Sequence, residues 1–143
     1  MSSRRVMAAG VKRLEYATRL LQRARLADAT AGVWEAADVQ WWPRSSRRSD
    51  DIATPFWFDK HGPVAAVLVT DWAPSWGIDV LRVPVAAPDI DEIWSGARDV
   101  ITTVGPGRFD SLVREDDEEL VSCILAAGFG PDSRAWGSLD GAC

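Results

Sequence analysis

The segment from Val64 to Val69 is apolar at all six of its positions, and it constrains the fold more than any other part of the sequence. It follows a turn at Gly62-Pro63 and is too short to cross a membrane. A short apolar run between turns predicts a strand that is buried on both faces and central in its sheet. We therefore expect helices to cover both faces of this sheet.

Two flanking segments complete a three-strand meander around this run. Phe56 to Asp59 and Ile78 to Val83 are predicted strands, and turns are predicted at Lys60 to Pro63 and around Pro74 and Gly77. Before the meander, residues 11–26 carry an apolar stripe at helical spacing. The stripe consists of Leu14, Ala17, Leu21 and Ala24.

A second helix is expected to begin with Thr30 as its N-cap and to end before Pro43. After the meander, Asp89 and Glu92 have capping-box spacing at the start of a strongly periodic helix, which Gly105 ends. The periodic positions of that helix are Ile90, Ile93, Trp94, Ala97, Ile101 and Val104.

The last third of the chain continues with a strand at Phe109 to Arg114 and a helix that starts in the acidic run Asp116 to Glu119. That helix is expected to end in a Schellman-type cap at Gly128-Phe129, and Ser133 to Leu139 to form the final strand. The positions expected to be buried on the helix are Leu120, Val121, Ile124 and Leu125.

The element order is thus α-α-β-β-β-α-β-α-β. It predicts an α/β fold, more narrowly an α+β mixed sheet, in one domain over residues 1–143. Residues 1–10 are expected to be flexible and residues 140–143 to form a tail.

The charge and the cysteine content exclude several functional classes. A net charge of −5 and a pI near 4.8 argue against nucleic-acid binding. The absence of a long apolar segment argues against membrane insertion, and two cysteines with one histidine argue against a metal site. The acidic run from Glu115 to Glu119 is better explained as a charged helix start than as a cation site. We expect a cytoplasmic protein.

The segment from Leu120 to Phe129, together with the element order, resembles the Gcn5-related N-acetyltransferases (GNAT). In that family a late helix ends in Gly-Phe before the next strand, as Gly128-Phe129 does here. The segments Leu20–Asp28 and Gly32–Trp42 resemble the degenerate N-terminal half of actinobacterial two-domain GNAT proteins. The resemblance implies the GNAT fold, here without its usual first strand, and acetyl-CoA as the possible cofactor.

The resemblance also shows where this chain departs from an active enzyme. Family members hold the pyrophosphate of the cofactor on a glycine-containing loop that opens a helix, where backbone N–H groups bind the anion. The corresponding stretch here, Val83 to Glu92, has no glycine. Pro84 and Pro88 cannot donate an N–H, and three acidic residues would repel the phosphates. These residues are Asp89, Asp91 and Glu92.

The general acid of the family is also unmatched, since Ile124 stands where many members carry a tyrosine. Cys123 beside it is expected to be a packing residue, and the sole tyrosine, Tyr16, belongs to the first helix. His61 is expected to be an exposed turn residue. We therefore assign no catalytic residue.

If the cofactor does bind, its thioester is expected on the strand backbone at Val80, Leu81, Arg82 and Val83. The alternative phosphate contacts are Arg44, Arg47 and Arg48. The tryptophans nearest to predicted element ends are candidates for an interface, and they are Trp42, Trp72 and Trp76.

Three functions remain open at this point. The first is a catalytically degenerate GNAT-like domain that serves as a structural half of a tandem acetyltransferase, with a catalytic GNAT domain or a second copy as its partner. The second is an active N-acetyltransferase with an atypical cofactor site. The third is a small-ligand or peptide-binding module.

Overall fold

The computed structural model describes residues 4–28, 47–84, 86–111, 113, 117–131 and 137–140. The helices in this part of the chain are α1 (Gly10–Ala27), α2 (Ile90–Val104) and α3 (Glu118–Ala126), with a 3-10 turn at Arg48–Asp51. The strands are β1 (Arg4–Ala8), β2 (Thr54–Asp59), β3 (Gly62–Trp72), β4 (Ser75–Arg82), β5 (Arg108–Ser111), β6 (Gly130–Pro131) and β7 (Gly137–Asp140).

These strands form one mixed sheet in the order β1-β2-β3-β4-β5-β7-β6. Their neighbours are antiparallel, except that β4 and β5 are parallel. The predicted mixed sheet is thereby confirmed. The predicted second helix, Thr30 to Trp42, lies outside the described residues.

The central strand is β3, as its apolar run predicts. It pairs with β2 on one edge and with β4 on the other, and every residue from Val64 to Val69 is buried. On one face, Ala66 and Leu68 pack with α1 residues such as Leu20. On the other face, Val67 and Val69 pack with residues of α2 and α3. The sheet therefore separates two apolar layers.

The N-terminal segment forms the strand β1, so the expectation that the first strand is missing was wrong. The register Arg5↔Trp57 and Val6↔Phe56 places β1 at the edge of the sheet beside β2. The guanidinium of Arg5 lies 5.7 Å from the Trp57 ring centroid and donates to Asp99 at 2.9 Å. The guanidinium groups of such a strand stay at the surface, while the aliphatic parts of the same side chains cover apolar surface. The sequence of the strand therefore looks polar.

Helix α2 packs against β2 through a close approach at Gly96. A Cβ atom added there would lie 2.7 Å from Cη2 of Trp57 and 3.0 Å from Cγ of Pro55. Glycine therefore lets the helix approach the indole ring. The expected capping box is absent, because the Asp89 side chain accepts no hydrogen bond from the first turn.

Helix α3 ends in the Schellman cap that the sequence predicts. Gly128 has a φ of 101°, its N–H donates to the Leu125 carbonyl at 3.1 Å, and the Phe129 N–H donates to the Ile124 carbonyl at 3.2 Å. The Phe129 ring is buried against Trp94, at 5.7 Å between centroids. Leu125 is 52% exposed, so its predicted burial was wrong, because it lies on the outer side of a short surface helix.

In the described part of the chain, no helix combines the length and apolar character that crossing a bilayer would require.

Candidate functional site

The most distinctive feature of the sheet is a gap between two parallel strands. Among the described residues, β4 and β5 pair at Trp76↔Phe109 and Gly77↔Asp110 and nowhere else. From Ile78 to Arg82, β4 continues without pairing to the described part of β5, whereas its other edge stays paired with β3. Parted carboxyl ends of parallel strands form a crevice in which open α/β sheets bind ligands. We call this opening the β4–β5 gap.

Strand alternation decides which backbone groups face the gap. The Val83 N–H donates to the Val64 carbonyl at 2.8 Å, so this amide points toward β3. Successive residues of a strand direct their amides to opposite edges, which turns Val80 and Arg82 toward the gap and Leu81 toward β3. Only two of the four predicted backbone contacts therefore face the gap.

An ion pair joins the end of β4 to the start of α3. Arg82 contacts the Asp117 carboxylate at the start of α3 and the Glu119 carboxylate at 3.4 Å. The same Asp117 oxygen accepts the Leu120 N–H at 3.3 Å and thus caps α3. The Arg82 side chain is mostly buried. Side chains therefore join β4 to α3 where backbone pairing has stopped.

The turn from β4 to α2 offers few donors to an anion. Pro84 and Pro88 lack an N–H, and the Ala87 N–H donates within the turn to the Val83 carbonyl at 3.3 Å. The acidic side chains at the helix start are all exposed, and they are Asp89, Asp91 and Glu92. Their charge opposes an incoming phosphate at the position where the helix dipole would favour one.

The arginines expected to contact phosphate lie at the opposite end of β4. Arg48 donates from Nε to the Asp71 carboxylate at 2.7 Å, and its guanidinium lies 5.1 Å from the Trp76 ring centroid. The seven steps from Ser75 to Arg82 span about 23 Å of strand, so these arginines are far from the α2 start. Arg44 lies outside the described residues.

Arg47 and Arg48 instead each lie against one of the candidate interface tryptophans. The Arg47 guanidinium lies 4.3 Å from the Trp72 ring centroid and donates to the Asp71 carbonyl at 3.0 Å. The hydrogen bond that the Asp71 carboxylate accepts from Arg48 lowers the pKa of Asp71, and the bond from the Ala73 N–H adds to this effect. Trp72 is 39% exposed and Trp76 is half-buried. The third tryptophan, Trp42, lies outside the described residues.

Solved acetyltransferases share this architecture. The ribosomal-protein-S18-alanine N-acetyltransferase from Escherichia coli aligns with a TM-score of 0.59 at 11% identity, over 94% of this chain and 89% of its own. The PaiA N-acetyltransferase from Thermoplasma acidophilum, solved in complex with coenzyme A, aligns with a TM-score of 0.59 at 13% identity, over 96% and 97%. This chain has the GNAT fold. Neither a protein-family model nor a curated protein sequence matches it, so the likeness is one of fold.

A tandem member shares the fold as well. The tandem GNAT protein from the clavulanic acid biosynthesis pathway aligns with a TM-score of 0.60 at 16% identity. The alignment covers 92% of this chain but 45% of that protein. This chain therefore spans less than half of the tandem protein's length.

The tyrosine position of the GNAT resemblance falls in the core of this domain. Ile124 is buried, and Cys123 is half-buried against the same apolar cluster. Tyr16 packs edge-on against Phe56 at 5.5 Å and Phe58 at 4.9 Å, on the α1 face of the sheet. None of these three side chains supplies a phenol to the β4–β5 gap.

His61 is exposed in the β2–β3 turn, as its neighbours predict. The backbone N–H of His61 donates to the Asp59 carboxylate. The same carboxylate accepts two hydrogen bonds from the Arg23 guanidinium, at 2.9 and 2.7 Å. The hydrogen bonds from Arg23 lower the pKa of Asp59 to about 2. This turn has a structural role. The described residues contain no cluster of three His, Cys, Asp or Glu side chains placed to hold a metal ion.

Sequence reasoning did not single out two buried polar residues on β4 and β5, the strands that border the gap. Asp79 on β4 is 3% exposed, and Ser111 at the end of β5 is 1% exposed. The Ser111 hydroxyl has no hydrogen-bond partner among the described residues. Their only sequence signal is a polar residue inside a predicted strand, which is too common to identify a site.

Proposed function

We propose that this GNAT-like domain serves as a structural or docking half beside a catalytic acetyltransferase domain, or beside a second copy of itself. In this role it does not transfer acetyl groups. The observation that carries the proposal is the carboxyl end of β4. The stretch from β4 to the α2 start carries two prolines and three exposed acids, and Arg82 pairs with Asp117 and Glu119 at the end of β4.

The electrostatics of the α2 start support this proposal. A pyrophosphate there would meet three exposed carboxylates instead of a row of backbone N–H groups. A cofactor chain entering the gap would also have to displace Arg82 from Asp117 and Glu119. The cofactor would have to make up for the loss of both Arg82 contacts before its binding became favourable.

The partial coverage of the tandem GNAT protein supports the proposal that this domain packs against a second domain. A domain that corresponds to less than half of such a protein is suited to pack against a second GNAT domain. The exposed face of Trp72 offers an aromatic contact of the kind that is enriched in interfaces.

Calorimetric titration with acetyl-CoA and with free CoA tests the proposal. We expect no saturation up to millimolar ligand. Micromolar binding of either compound would overturn the proposal. Light scattering over a range of protein concentrations then distinguishes self-association from docking to a separate domain.

The second candidate is an acetyl-CoA-dependent N-acetyltransferase with an atypical cofactor site, and the parted strands favour it. The gap exposes the backbone of Val80 and Arg82, which could hold a thioester. The PaiA enzyme of the same fold was solved with coenzyme A bound. Saturable binding of acetyl-CoA, followed by acetylation of an amine acceptor, would establish this function. The third candidate, a peptide-binding module, uses the same gap.

A further inference from the structure

A cavity of about 210 Å³ lies on the α1 face of the sheet, away from the β4–β5 gap. Its described lining comes from the first turns of α1, the 3-10 turn and the β3 segment Leu68–Thr70. β4, β5, α2 and α3 contribute nothing to that lining. Its apolar walls include Val11, Leu14, Ala17 and Leu68.

Two arginines, Arg13 and Arg47, belong to the described lining of this apolar cavity. Nη1 of Arg13 donates to the Ile52 carbonyl at 2.8 Å. Burial lowers the pKa of Arg13 more than the nearby Asp50 carboxylate raises it, so this guanidinium is partly desolvated. Nε of Arg47 is buried without a hydrogen-bond partner among the described residues. Unused, partly desolvated N–H donors strongly favour an anionic partner.

The other charges around the cavity agree with an anion. Asp50 is the one carboxylate in the described lining, and its Oδ2 accepts the backbone N–H of Arg47 at 3.0 Å. The first turn of α1 contains no acidic residue, and its N-cap, Ala9, provides no side-chain cap. The positive end of the helix dipole adds to the two cations. Asp50 partly offsets the charge of Arg13, and the Asp71 carboxylate outside the lining interacts with that of Arg47.

We propose that this cavity binds a small monocarboxylate with an aromatic or branched apolar body. The carboxylate lies on Arg13 and Arg47, and the apolar body packs against Leu14, Ala17 and Leu68. A dry cavity of about 150 Å³ accommodates benzene, so the larger volume here accommodates a ring with a carboxylate attached. The inference does not depend on the proposed function, because none of the described lining residues belongs to the gap.

NMR titration of the intact chain with benzoate and phenylacetate, against benzyl alcohol as the uncharged probe, tests the inference. We expect saturable shifts at residues 10–17 and 68–70 with the carboxylates, and at least about tenfold weaker binding of the alcohol. Equal binding of the alcohol would overturn the assignment of an anion site. Shifts confined to Ile78–Arg82 would overturn its location.

Three variants sharpen the test. Arg13→Gln removes the charge and should weaken benzoate binding by about tenfold or more, since a charge-assisted hydrogen bond is lost. Val11→Trp puts a larger side chain at an exposed lining position, so it should block binding while the fold persists. Arg98→Gln makes the same chemical change on the exposed side of α2 and should leave the affinity within about twofold. Equal affinities in all three variants would overturn the proposal.

Discussion

The two ends of β4 are held in different ways. At its start, the strand pairs on both edges, and Arg48 lies over Trp76 while bonded to Asp71. At its end, pairing with β5 has stopped and Arg82 reaches across to α3. Backbone ladders are continuous and cooperative, whereas a partly exposed ion pair contributes about 1 kcal/mol. The comparison indicates that the carboxyl end is the weaker end and the one most open to functional change.

The largest expected effect is at the point where the two strands part. Phe109 is fully buried and is paired with Trp76 in the last stretch of β4–β5 ladder. Phe109→Ala should lower the free energy of unfolding by about 3–5 kcal/mol through lost burial and a residual cavity. Urea denaturation measures this, and Leu125→Ala, at an exposed position, should change it by less than about 0.5 kcal/mol. Similar losses for both variants would show that the junction is not part of the core.

The next effect tests the tight packing at the start of β4. A Cβ atom on Gly77 would lie 2.7 Å from Nε1 of Trp72. Gly77→Ala should therefore displace the indole and cost about 1–3 kcal/mol, with a change in tryptophan fluorescence. Gly107→Ala is the matched control, because its Cβ would lie 3.8 Å from Trp76, an ordinary contact distance. If Gly77→Ala leaves the fluorescence unchanged, the indole is not packed as described.

The pH dependence of stability tests the turn that precedes β3. The pKa of Asp59 is lowered from 3.8 to about 2. The contribution of its ionised carboxylate to folding stability is therefore complete above about pH 5 and is lost as the pH falls toward 2. Asp59→Asn should remove about 1–2 kcal/mol at neutral pH and flatten the stability curve between pH 4 and 2. Denaturation midpoints across this pH range measure the effect. The exposed Asp51→Asn should leave the slope as it is, and a slope unchanged in Asp59→Asn would contradict the coupling.

The smallest expected effect concerns the ion pair across the gap. Arg82→Gln should lower stability by about 1 kcal/mol. Amide exchange should increase at Leu81 and Val83, whose N–H groups face β3, and at Leu120 in the first turn of α3, while the exchange of Phe109 stays slow. Hydrogen exchange read by NMR measures this, with Arg98→Gln as the control. Uniform acceleration over the whole sheet would mean that Arg82 supports the global fold and not the gap alone.

Local patterns in the sequence determined much of the fold. The apolar run at Val64–Val69 placed the central strand, and the stripe from Ile93 to Ile101 placed α2. The Gly128-Phe129 pair located the end of α3. These features depend on neighbours within about one or two helical turns, so their signal lies in adjacent residues.

Long-range pairing decided the rest. β1 depends on β2, some fifty residues later, and its arginines conceal the strand pattern. The sequence predicted Arg47 as a phosphate contact and Trp72 as an interface residue, two unrelated roles. In the fold, the Arg47 guanidinium stacks on the Trp72 ring. Sequence alone established that the β4–α2 turn carries prolines and acids in place of glycines. The tertiary structure alone brought Arg82 to Asp117, and Arg13 to Ile52, because residues 35 and 39 positions apart meet only after the sheet has formed.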